Sequence, residues 1–214
     1  RERDVRWVLA RHVIVAVPAP EAAPLVRGVA PSAADALEQL TYGAFLSLAA
    51  ETNERWRSPW DDVYAMATPG RSFDMFTNQA QVLRRADHRR PGGSLMLFAG
   101  GRAAAALMEE SDEHIRQRFL SDLYGLYPAT RGIIADAQVH RWPLGNVFAR
   151  PGRRLLQAPL EGPLGPHRNV HLAGDYFAEL GNMEAAARTG RAVAERIEIA
   201  LSGGGLAATA DWVG

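Results

Sequence analysis

No lysine and no cysteine occur anywhere in the 214 residues. Without cysteine there is no disulfide framework, no thiolate nucleophile and no cysteine-held metal. Without lysine all 24 basic side chains are arginine, a bias that fits, with abundant alanine and glycine, a GC-rich bacterial genome. Charge of one sign is also lacking: the formal net charge is zero, so no basic surface argues for nucleic acid. No apolar run reaches the length of a membrane span, and no signal-peptide pattern is present; a cytoplasmic location is the expectation. Neither a Gly-x-Gly-x-x-Gly dinucleotide loop nor a Gly-x-Ser-x-Gly elbow occurs. The histidines (12, 88, 114, 140, 167 and 171) are scattered without a metal-ligand spacing. Hydrolase and metalloenzyme chemistry are therefore poorly supported, no metal is expected, and no catalytic residue is assigned. The chain starts at Arg1 rather than methionine, and its beginning is expected to be missing or processed.

What is present is clearest over residues 169–201. Val170, Leu172 and Ala173 form an apolar strand run, followed by Gly174-Asp175 and a short loop. Gly174 allows close backbone approach, and Asp175 places a carboxylate at the strand end. Asn182 is a good N-cap, and Glu184 suits the positive end of a helix. Ala186, Thr189 or Gly190, Val193, Ile197 and Leu201 recur at helical spacing. The first turns are small, leaving backbone N–H groups open to a ligand.

Upstream, Val13-Ile14-Val15 reads as a buried strand ended by Pro18 and Pro20, with a helix start at Pro20. A short helix is expected over 31–40, with Ser32 near its cap. Residues 42–51 read as a strand, followed by a polar turn and Trp56. Residues 63–67 and 73–79 read as two antiparallel strands about the Thr68-Pro69-Gly70 turn. Phe73, Met75 and Phe76 face either a substrate cavity or ordinary sheet core. Residues 84–93 read as a solvated loop. A strand follows at 94–99, then helices at 103–108 and 111–126. Ile115, Phe119, Leu123 and Leu126 form the apolar face of the second helix, which Pro128 ends. A strand over 133–142 meets Pro143. Trp142 is either a core anchor or a wall beside a ligand, and His140 is expected on the other face. Residues 146–166 read as a long coil, and 203–214, with Trp212, as a flexible tail.

The segment Leu172-Ala173-Gly174-Asp175, then Met183-Glu184-Ala185-Ala186-Ala187-Arg188-Thr189-Gly190-Arg191-Ala192, closely resembles the C-terminal flavin-binding segment of the FAD-dependent amine oxidase superfamily. That superfamily includes protoporphyrinogen oxidases and carotenoid-type desaturases. The resemblance covers about residues 5–201 and implies an α/β (α+β) fold, the C-terminal part of a two-domain flavoprotein. Residues 1–30 and 155–202 would be pieces of a Rossmann-like FAD domain. Residues 31–154 would be a substrate domain with an antiparallel sheet and helices.

The resemblance implies FAD as cofactor, held by Gly174, Asp175, Asn182, Met183 and Ala186. It implies a small apolar or amine substrate beside Ser47, Phe76, Asn78 and Trp142. Ser47 stands four residues after Gly43, where monoamine-oxidase-like members carry a lysine near flavin N5. A chain without lysine cannot supply it, so desaturation or another dehydrogenation by hydride transfer to flavin N5 is the expected class. The Gly-rich loop that binds the FAD pyrophosphate at a helix start would have to come from an N-terminal FAD-binding half, on a separate or cleaved chain. The alternative is a non-catalytic binding or regulatory module that kept the fold.

Overall fold

The computed structural model describes residues 7–84 and 91–203. Val5 and Arg6, the middle of the polar loop with His88, and the tail with Trp212 lie outside the described residues. The chain divides into two compact units, Arg1–Thr41 with Val147–Gly214, and Tyr42–Asn146. The expected divisions near 30 and 154 enclosed a longer inner segment.

The first unit is built on a parallel pair, β1 (Val13–Val15) beside β7 (Val170–Leu172), with Val13 opposite Val170 and Val15 opposite Leu172. β-Branched residues favour this extended pairing. Pro18 and Pro20 end the strand and start α1 (Ala19–Val26), because proline fits the first turn of a helix but not a strand interior. α1 buries Ala19, Ala22, Ala23 and Val26, and α2 (Pro31–Glu38) buries Ala33, Ala34, Ala36 and Leu37. Small side chains on both helices let the backbones pack closely. Ser32 does not cap α2: Ala30 is the N-cap, Pro31 takes the first helical position, and no side chain caps the helix. Across their exposed side, Arg27 bridges Asp35 and Glu38, contacts of little stabilising value in water.

The second unit is an antiparallel sheet of order β3-β4-β5-β2-β6, comprising β2 (Tyr42–Thr52), β3 (Ala65–Ala67), β4 (Met75–Asn78), β5 (Gly93–Gly100) and β6 (Ile134–Val147). The last residue of β6 falls in the first unit. Side chains alternate across the pleat. Leu46, Leu48 and Ala50 of β2, Leu95, Leu97 and Ala99 of β5, and Phe76 of β4 therefore face one core. That core is closed by α3 (Gly101–Leu107) through Ala104 and Leu107, and by α4 (Asp112–Leu126) through Ile115, Phe119 and Leu123. Ser111 caps α4 by accepting the His114 N–H at 3.2 Å. The opposite sheet face carries Phe45, Ser47 and Ala49, then Met96 and Phe98, then Met75 and Thr77.

Three local expectations change. β6 does not stop at Pro143 but continues to Val147. It is an edge strand, where a residue without an N–H costs no ladder bond. Residues 146–166 are not plain coil: they hold the end of β6 and 3-10 turns at Arg153–Leu156 and Ala158–Leu160. Arg84 is not solvated: its side chain, 6% exposed, pairs with an equally buried Glu54 at 3.1 Å. No helix among the described residues is long and apolar enough to cross a membrane.

Candidate functional site

β7 delivers Gly174 and Asp175 to the start of α5 (Met183–Gly203). The strand end is tied at both sides. The Ala173 N–H donates to Val15 O at 3.1 Å, and the Gly174 N–H donates to Thr189 Oγ1 at 3.0 Å. The same hydroxyl lies 3.0 Å from Gly174 O and 2.9 Å from Ala186 O, to one of which it donates. Thr189 thus locks the strand end to the second turn of the helix. Gly174 is extended, with φ 164, so its conformation does not demand glycine. Space does: a Cβ there would lie 2.4 Å from Cε1 of Tyr176, a residue 1% exposed.

Asp175 opens a 3-10 turn, Asp175–Phe177. Burial pushes its carboxyl above the ordinary aspartate range, opposed by its own and the Tyr176 N–H groups and by the charge of Arg153. Asn182 is the N-cap of α5, its Oδ1 accepting the Ala185 N–H at 2.8 Å, while the Ala186 N–H reaches Asn182 O at 3.1 Å. The first N–H groups of a helix, here those of Met183 and Glu184, have no acceptor within the helix itself. The Met183 side chain is 90% exposed. A cleft of about 430 Å³ borders the same end, lined by Phe177, Ala178, Leu180, Asn182 and Ala185 among others. Gly174, Asp175, Asn182, Met183 and Ala186 therefore lie about one strand-to-helix turn.

The four expected substrate residues do not share a surface. Ser47 lies opposite Phe98 on the sheet face away from the helices, and is buried there. Phe76, 0% exposed, is on the other face, in the core, its ring 5.3 Å from that of Tyr127; position 76 pairs with the core residue Leu97, which corrects its expected place beside a substrate. The Asn78 amide is spent locally: Nδ2 donates to Trp60 O at 2.9 Å, and Oδ1 accepts the Ala80 N–H at 3.1 Å. Trp142 is half-exposed and stacks on His140 at 5.8 Å between ring centres. His140 is therefore not on the opposite face from Trp142, because residues two apart in a strand point the same way.

Two features were missed. Arg153, in a stretch read as coil, is buried and donates to Tyr176 O, Ala178 O and Glu179 O. An arginine among apolar turn residues was the only signal in the sequence. The second is a histidine pair, His12 Nδ1 lying 3.1 Å from His171 Nε2, created by the β1–β7 register, which puts Ile14 opposite His171.

His171, 2% exposed, has its pKa lowered from 6.5, first by burial and then by the charges of His12 and Arg196. The unfolded chain then binds the proton more readily than the folded one. The stabilisation is complete above about pH 6.5 and is lost as the pH falls through the depressed folded value. Urea midpoints should fall between about pH 7 and pH 5, before most carboxylates titrate. His171→Asn should flatten that slope, and an unchanged slope in the variant would remove His171 as its source.

A strand–glycine–carboxylate turn tied to a helix start in one unit, and a helix-backed antiparallel sheet in the other, define a two-unit α+β class. Over residues 2–198 the chain matches the family of flavin-containing amine oxidoreductases, and it belongs to that family. Solved structures share the fold. A protein from Exiguobacterium sp. 255-15 assigned as a protoporphyrinogen oxidase aligns at TM-score 0.64 and 20% identity, over 88% of this chain and 41% of that one. UDP-galactopyranose mutase in its reduced state aligns at TM-score 0.65 and 13% identity, over 91% and 42%. Cyclohexylamine oxidase from Brevibacterium oxydans IH-35A aligns at TM-score 0.65 and 18% identity, over 88% and 44%. The chain thus spans 41–44% of these structures' length. No curated protein matches it in sequence.

Proposed function

We propose that this chain forms the C-terminal part of an FAD-dependent oxidoreductase that dehydrogenates a small apolar or amine substrate. The observation that carries the reading is the Gly174-Asp175 turn, pinned through Thr189 to α5, whose start is capped by Asn182. These residues fit a flavin. N–H groups at a helix start suit the pyrimidine edge, where negative charge gathers on reduction, and the helix dipole favours that charge. Asp175, partly buried at the strand end, can accept from ribityl hydroxyls. The bound flavin would supply the hydride acceptor at N5, and the protein would supply orientation and charge stabilisation.

An apolar substrate is supported by the sheet face opposite the helices, where Phe45, Ala49, Met96 and Phe98 neighbour a buried Ser47. With no lysine in the chain, these residues supply none to hold a water near N5. Completion by an N-terminal FAD-binding half is supported by the β1–β7 pair: it has only two strands among the described residues, and Val13 and Ile14 are 45% and 46% exposed. Apolar residues on an unfinished strand invite further strands.

Co-purification of the chain with such a half tests the reading. The complex should be yellow, hold FAD stoichiometrically, and bleach anaerobically when its substrate is added. A flavin-free complex would favour the non-catalytic module.

A further inference from the structure

We propose that Arg153 is the positioning residue of the cofactor loop: its guanidinium fixes the backbone between Asp175 and the start of α5, and so sets where the flavin lies. The proposal rests on the flavin reading above. Arg153 is 7% exposed. Its Nη2 donates to Tyr176 O and to Ala178 O, each at 2.6 Å, and its Nη1 donates to Glu179 O at 3.1 Å. Gln157 Nε2 adds a further donor to Tyr176 O at 3.2 Å. Between Asp175 and Asn182 the backbone belongs to no strand or α-helix, and the Ala178 N–H to Asp175 O bond of 3.0 Å is the one backbone bond over residues 175–181 among the described residues. The conformation of this loop therefore depends on the guanidinium.

A surface anchor would not be built this way. No carboxylate lies within ion-pair distance of Arg153 among the described residues, although the neighbouring Arg154 reaches Glu179 at 3.9 Å. Burying a guanidinium without a counter-ion is costly. What offsets that cost here is a set of carbonyls on one short segment, which a planar fork can satisfy together and a point-charge ammonium cannot. The segment it holds begins with Asp175, whose carboxyl is drawn down by this same charge against the push of burial. Fork and charge thus act on the two ends of the proposed cradle, the loop backbone and the carboxylate.

The test uses the full chain carrying Arg153→Gln or Arg153→Lys. Amide exchange over 176–181 should quicken about tenfold or more in Arg153→Gln, because charge-assisted bonds to buried carbonyls are lost. Exchange in Arg153→Lys should be intermediate. The Asp175 titration, followed by carboxyl carbon NMR, should move up in Arg153→Gln and return towards wild type in Arg153→Lys, a rescue that mere packing would not give. In the complex with the N-terminal half, the FAD dissociation constant should rise about tenfold in Arg153→Gln. Wild-type exchange in Arg153→Gln, or a loosened loop with unchanged FAD affinity, would overturn the proposal. If Arg153→Gln does not fold, Arg153→Lys decides: unchanged exchange and FAD affinity there would equally overturn it. A wild-type complex that binds no FAD defeats the flavin reading, and the cofactor half of this proposal with it. The exchange and Asp175 results then still decide whether Arg153 holds the loop.

Discussion

Gly174→Ala is expected to destabilise the flavin-free chain by about 1–3 kcal/mol, the cost of forcing an atom into a filled space. The added Cβ would stand 2.4 Å from Cε1 and 2.8 Å from Cδ1 of Tyr176. The ring cannot simply swing away, because Tyr176 is 1% exposed and its ring lies tilted against that of Phe177 at 4.9 Å between centres. Nor can the backbone simply withdraw, because the Gly174 N–H donates to Thr189 Oγ1 and the Ala173 N–H to Val15 O. Thermal unfolding should register a fall of several degrees, at roughly 2–4 °C per kcal/mol for a chain of this size. The double variant separates the causes. In a Tyr176→Ala background the further cost of Gly174→Ala should vanish, a coupling of the kind expected for residues in contact. If glycine were needed only for cofactor approach, Gly174→Ala would leave the flavin-free chain as stable as wild type.

Phe76→Ala should cost about 3–5 kcal/mol, the range for deleting a phenyl ring from a core. Trp142→Ala, removing a larger ring, should cost less than about 1.5 kcal/mol, roughly the value of one aromatic contact. Phe76 is 0% exposed among Trp60, Phe73, Leu97 and Phe119, and its neighbours cannot close the gap without disturbing α4. Trp142 is 47% exposed on an edge strand, with His140 as its aromatic neighbour. Urea unfolding of the two variants checks the order, and a costlier Trp142→Ala would mean that β6 lies deeper than described.

Local pattern was enough for much of the chain. The small-residue helix after Asn182, its cap, the Ile115–Phe119–Leu123 stripe of α4 and the β-branched run of β1 each follow from neighbours within a few residues. Caps, turns and periodicity act at short range, so the sequence displays them directly. The strand–Gly-Asp–helix order that marks the flavoprotein family is legible for the same reason.

What stayed hidden depends on partners distant in sequence. Phe73, Met75 and Phe76 could equally have faced a cavity or a core, until the β4–β5 register placed Phe76 opposite Leu97. Gly174 looked like a glycine reserved for a ligand, and its own Tyr176 fills the space. Arg153 became a loop clamp only when the turn at 153–156 met the carbonyls of 176–179. By itself the sequence determined the elements and the family, because both are written in short spacings. The tertiary structure alone decided which faces are buried, which polar atoms meet and what holds the loop between Asp175 and Asn182, because side-chain partners across a fold are chosen by packing and register.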